Sequence, residues 1–247
     1  MNILVCVSRV PDTAARINVG DDGKSIKDAG VKFIVNPYDE FALETAIRLK
    51  ESNGATVTAI TVGNAESSDV LRTALAMGVD NAILVKANDY DSYIVAENIS
   101  AAAKELNADL VILGRQSIDY DSLQMSSLIG AMLDRPSVSV VSKLDINGNN
   151  IVCERDIEGG KETVETSLPC VISTQKGIYE PRYPKLPDIM KAKKKPIDEK
   201  DSISSDSKVE ILSLEIPQSS RIGKIVGDSD AEIQSIVDAL HAEAKVI

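Results

Sequence analysis

Short, unbroken apolar runs recur along the chain, and the stretches between them carry apolar residues at helical spacing. The first run is Ile3-Leu4-Val5-Cys6-Val7. Residues 56–62, 81–85, 110–113 and 138–141 repeat it. Runs this short and this apolar read as strands buried on both faces. Between them, Leu43, Ala46, Ile47 and Lys50 fall at helical spacing within 39–51, as do Val70, Leu71, Ala74 and Leu75 within 66–77. Segments 92–106 and 122–133 continue the alternation. Strand–helix alternation predicts βαβ units with right-handed crossovers. The expected fold is α/β: an open, mostly parallel, Rossmann-like sheet with helices on both faces.

After about residue 145 the pattern changes. Asn147-Gly148-Asn149-Asn150 is a turn, and strand-like 151–156 and 163–168 flank Glu158-Gly159-Gly160-Lys161. That predicts a small antiparallel hairpin. Residues 169–174 form one more apolar strand. From Pro181 to Pro196 there are four prolines and five lysines, too many breaks for a regular strand or one long helix. Residues 198–208 are polar and read as a linker or exposed loop, followed by a helix over 229–244 with Ile233, Ile236, Val237 and Leu240 as its apolar stripe. No internal repeat is present.

Composition narrows the function classes. Aromatics are 3% with no Trp, so the core is built from aliphatic residues. The formal net charge of −11 argues against a nucleic-acid partner, whose phosphates need a basic footprint. The cysteines Cys6, Cys153 and Cys170 are far apart and read as buried reduced thiols. A lone histidine, His241, leaves no His-based metal site or triad. No apolar run approaches membrane-spanning length. With its first strand at the very start of the sequence, the chain as given is expected to be cytoplasmic.

Three segments could carry chemistry. Asn36-Pro37-Tyr38-Asp39-Glu40 follows strand-like 33–35 and opens a helix. Asn36 suits an N-cap and Pro37 the first turn, so the segment is either a well-capped helix or one lip of the crevice where open α/β sheets bind ligands. The second segment is a strand–polar loop–helix unit, the geometry that presents backbone N–H groups to an anion. It runs through Gly114, Arg115, Gln116, Ser117, Ile118, Asp119, Tyr120, Asp121, Ser122, Leu123, Gln124, Met125, Ser126 and Ser127. It is neither a Walker A loop nor GxGxxG, and Asp119 and Asp121 would oppose a phosphate unless they point away or meet sugar or base. The third segment sets the apolar Leu186 between Pro184 and Pro187, followed by Ile189, Met190, Lys191, Lys193, Lys194 and Lys195. A lysine run is ordinarily a solvated face, but an apolar tip on a stiffened loop resembles a docking element.

Taken in order, these motifs resemble one family, the beta subunit of the electron transfer flavoproteins. Residues 3–12, 35–44, 71–78, 114–124 and 181–195 carry the resemblance, which covers essentially the whole chain. It implies a Rossmann-like domain of the adenine-nucleotide alpha-hydrolase type over 1–180, a partner-recognition loop over 181–197, and a C-terminal arm and helix over 198–247 packing on an alpha subunit. It implies that the alpha subunit carries the redox-active FAD and that the beta subunit holds a second nucleotide, AMP in simple carriers or FAD in electron-bifurcating ones. The family's nucleotide contacts carry over onto Cys6, Asn36, Pro37, Tyr38, Asp39, Val62 and 114–127. Its docking loop for a flavin dehydrogenase carries over onto 184–195, with Leu186 at the tip. Two positions depart from the family pattern: Ser126 stands where many members have Gly, and Thr13 where simple carriers often have Tyr. A stand-alone, stress-type nucleotide-binding homodimer is the alternative from another class, and the tail after residue 180 argues against it.

Overall fold

The computed structural model describes residues 1–88, 91–203, 206–217, 223 and 225–247. The elements run, in chain order, β1 (Asn2–Cys6), β2 (Arg9–Pro11), β3 (Phe33–Val35), α1 (Pro37–Asn53), β4 (Thr56–Gly63), α2 (Ser68–Met77), β5 (Asn81–Lys86), α3 (Ser92–Glu105) and β6 (Leu110–Gly114). They continue with α4 (Met125–Leu133), β7 (Ser137–Asn147), β8 (Asn150–Ile157), β9 (Gly160–Ser167), β10 (Cys170–Thr174), α5 (Leu186–Ala192), β11 (Asp198–Asp201) and α6 (Asp230–Asp238).

Nine strands form one sheet in the order β11-β5-β4-β1-β6-β10-β7-β8-β9. From β11 to β7 every pairing is parallel, and β8 and β9 add an antiparallel hairpin at one edge. Successive residues of a strand face opposite sides. Ile3 and Val5 therefore enter a core with Leu43, Ile47 and Leu71 of α1 and α2, while Leu4 and Cys6 enter another with Ile99 of α3 and Ile129 of α4. The chain leaves β1 toward β4 and leaves β6 toward β7, so the strand order reverses between these neighbours. A crevice opens outside the carboxyl ends of strands at such a point. Among the described residues no helix is long and apolar enough to cross a membrane, and no group of His, Cys, Asp or Glu is arranged for a metal ion.

Three local expectations are corrected. The fourth helix starts at Met125 rather than 122, because Leu123 sits at φ 54°, a left-handed conformation that a helix cannot contain. Residues 198–201 are not linker but the edge strand β11, paired with β5 and flanked by Lys200–Glu105 and Lys86–Glu199 ion pairs. The last helix is α-helical only to Asp238 and closes with a π-helical turn over Ala239–Ala244.

Candidate nucleotide crevice and docking segment

The first turn of α1 reaches both sides of the switch point. Asp39 is 4% exposed, and its Oδ2 accepts the Ser8 N–H at 2.7 Å just beyond β1. Its Oδ1 accepts the Gly114 N–H at 3.0 Å at the end of β6. Burial pushes this carboxyl up to about 7, against the pull of those N–H donors toward the ionised form. Gly114 is where backbone meets backbone. A Cβ there would sit 2.4 Å from Asp39 Oδ1 and 2.6 Å from the carbonyl carbon of Tyr38, so no other residue fits without displacing α1.

Asn36 occupies the N-cap of α1 but does not cap it through its side chain. It is fully buried and points across to the loop after β6, where Nδ2 donates to Gln116 O at 2.9 Å and Oδ1 accepts the Ile118 N–H at 3.3 Å. Local helix chemistry suggested a cap; a longer-range pair of hydrogen bonds has claimed both functions of the amide instead. Tyr38 faces the same loop, with the Arg115 guanidinium 5.1 Å from its ring centroid. Arg115 in turn donates to Gln116 Oε1 at 2.8 Å and to Gln175 Oε1 at 3.3 Å.

Beyond Ile118 the loop turns tightly. The Asp121 N–H bonds Ser117 O at 2.9 Å, and Asp121 and Leu123 both take positive φ. The Asp121 carboxylate accepts from Gln116 Nε2, while Asp119 and Tyr120 are exposed. Gln124 then leads into α4 without a side-chain cap, and Ser127 in its first turn is exposed. The first N–H groups of a helix have no partner within it. Ser126 is different: it is buried, and its hydroxyl lies 2.9 Å from that of Ser139 on β7. The serine at this position therefore spends its hydroxyl on the sheet. Cys6 and Val62 lie at the carboxyl ends of β1 and β4, with Cys6 buried and its thiol pushed up by burial. Thr13 is exposed in the excursion between β2 and β3.

The third segment is a short helix rather than a plain loop. Leu186, Pro187, Asp188, Ile189, Met190, Lys191 and Ala192 make up α5, with Lys185 at the N-cap. Leu186 is 73% exposed and Met190 52%, four residues apart on one outer face, with Tyr183 exposed just before. Ile189 and Ala192 turn inward onto the core. Lys195 also turns inward, donating to Val79 O at 2.9 Å, whereas Lys191, Lys193 and Lys194 are exposed. Of the residues assigned to this segment from the sequence, Ile189 and Lys195 thus hold it down rather than project from it.

The electron transfer flavoprotein domain matches residues 24–204. The chain is 40% identical over 259 residues to the electron transfer flavoprotein subunit beta of Bacillus subtilis, covering 100% of both chains. It is 38% identical over 253 residues to the subunit beta of Bradyrhizobium diazoefficiens, again over 100% of both. The mitochondrial subunit beta of Oryza sativa subsp. japonica is 39% identical over 257 residues, with 100% of each chain covered. The chain belongs to the electron transfer flavoprotein beta-subunit family. Within that family frame, local sequence reading gave no role to Ser8, Ser139 and Gln175, which act through backbone or side-chain contacts with segments far away in the chain or on another strand. It also missed Arg182, whose bonds to α1 are described below. None carries a local signal, because each is recruited only once the sheet has formed.

Proposed function

We propose that this chain is the nucleotide-holding, partner-docking half of a heterodimeric electron carrier. It holds an adenine nucleotide in the crevice outside β1 and β6, completes an FAD-bearing alpha subunit, and receives a flavin dehydrogenase at the outer face of α5. The observation that carries the reading is the convergence of Asn36, Asp39 and 114–118 on one lip, beside the uncapped N-terminus of α4. A helix N-terminus favours phosphate. The residues fit such a ligand: Ser127 is exposed in the first turn of α4, that turn has no side-chain cap, and the Asp121 carboxylate is engaged by Gln116. Ser127 and the N–H groups around it would hold the phosphate, with Cys6, Tyr38 and Val62 beside the rest of the nucleotide. A bound FAD would add one- and two-electron chemistry here, whereas AMP would serve only to fill and stiffen the crevice.

The exposed apolar surface supports the heterodimer. No residue of α6 is buried, and Ile233, Ile236 and Val237 of α6 and Leu240 of the π-helical turn after it are 38–49% exposed. Val209, Leu212 and Ile216 in the preceding arm are more exposed still. Surface of this kind is explained by a partner that covers it. The deciding experiment denatures the heterodimer, co-purified with its alpha subunit, and identifies the released nucleotides by mass. One FAD with one AMP is the expected result for a simple carrier. Two FAD per heterodimer would assign the bifurcating type, and no adenine nucleotide beyond the alpha subunit's FAD would overturn the crevice assignment.

A further inference from the structure

The docking face does not hang from a flexible loop. Arg182, four residues before Leu186, is gripped by α1. Its Nε donates to Glu44 Oε2 at 2.8 Å and its Nη2 to Glu44 Oε1 at 3.1 Å. A second fork joins Nη1 to Glu51 Oε1 at 2.6 Å and Nη2 to Glu51 Oε2 at 3.0 Å, while the Arg182 backbone N–H adds a bond to Glu44 at 3.2 Å. The Glu44 side chain is only 1% exposed. Burial opposes its charge, yet the bonds from Arg182 and Arg48 hold the carboxyl below its ordinary range. The far end of the segment is fixed as well, where Arg72 Nη1 donates to Ala192 O at 2.8 Å and also to Lys195 O. Between these clamps Tyr183, Leu186, Pro187, Met190 and the lysines at 185, 191, 193 and 194 are exposed.

A guanidinium that forks onto a buried carboxylate and again onto a second, exposed one is more than chain tethering requires. Bidentate guanidinium pairs fix orientation as well as distance. We propose that Arg182 is a positioning residue for docking: clamped by Glu44 and Glu51, it holds Tyr183 and Leu186 in the conformation that a flavin dehydrogenase binds. The inference rests on the docking reading above and adds to it where the rigidity comes from. A segment ordered before encounter loses less conformational entropy on binding.

The test uses the heterodimer, with a flavin dehydrogenase that reduces the wild-type protein as the probe. Steady-state electron transfer is measured against heterodimer concentration for Leu186→Ala, Arg182→Ala, Arg182→Lys and Glu51→Gln. Arg182→Ala should raise KM roughly three- to tenfold with kcat unchanged. Arg182→Lys should not restore it, because an ammonium cannot make both forks. Amide exchange over 183–190 should quicken in the same variants while the sheet stays protected. If Arg182→Ala fails to fold because the buried Glu44 is left with Arg48 alone, Glu51→Gln decides: it keeps the Glu44 fork and should raise KM about twofold. Should Leu186→Ala raise KM while the Arg182 and Glu51 variants match wild type, the positioning role is refuted and docking stands. Should Leu186→Ala itself be neutral, the docking reading falls and the clamp's role with it.

Discussion

Asp39 is the side chain on which most of the crevice geometry converges, and it is buried with a titrating group. Its carboxyl, ordinarily near 3.8, is raised to about 7 by burial in the folded chain. The folded state therefore retains a proton that the unfolded chain has already released across that interval. Protonation of Asp39 contributes stability that is fully present below about 3.8 and is lost as pH rises through about 7. Urea unfolding of wild type between pH 4 and 7 should accordingly lose stability more steeply than that of Asp39→Asn. The asparagine is less stable in absolute terms, since its amide can accept from only one of the Ser8 and Gly114 N–H groups, so the slopes are compared rather than the midpoints. Parallel slopes would show that Asp39 ionises as an ordinary exposed carboxylate does.

At the level of elements, α4 separates two serines that the sequence treats alike. Ser126 is buried against Ser139 and Ser127 is exposed in the same first turn. A negative charge in a first helical turn stabilises the helix. Ser127→Asp should therefore leave thermal stability unchanged or slightly higher while the purified heterodimer loses its second nucleotide, read by mass after denaturation. Full retention would move the phosphate away from α4. Ser126→Asp is the poorer probe, because it buries a charge and would unfold the region first. The parallel strands were legible because each is apolar on both faces, and the hairpin because its Gly-Gly turn sits between alternating segments. The edge strand β11 was not, since Asp198-Glu199-Lys200-Asp201 has no apolar face and is held by pairing with β5. That Asn36, Asp39 and the loop after β6 lie near one another was legible from the strand–helix order, but Asn36 as a tie across eighty residues and Ser126 as a sheet contact depend on the assembled fold.

Across the whole molecule, the proposed nucleotide crevice and the proposed docking face share α1 as a common support. Its first turn braces the crevice through Asn36 and Asp39, and its later turns carry Glu44 and Glu51. Residues 183–194 are held at both ends, by Arg182 on α1 before them and by β11 on the sheet edge after them. Brief trypsin treatment should cut at the exposed Lys191, Lys193 or Lys194, yet the products should stay together on a sizing column until urea is added. Fragments that separate without denaturant would show that β11 does not hold.

The same two-ended attachment has a consequence for how such a protein diversifies. Because residues 183–194 enter and leave at positions fixed by the rest of the fold, and Ile189 and Ala192 anchor them in between, their outward side chains can change without rebuilding it. Exchanging that stretch for a relative's should transfer the choice of redox partner and leave the crevice, the sheet and the surfaces of the arm as they were. Substitutions at the outward-facing Tyr183, Leu186 and Met190 escape the packing constraints that bind Gly114 or Asp39, and also Ile189 and Ala192 of the same stretch.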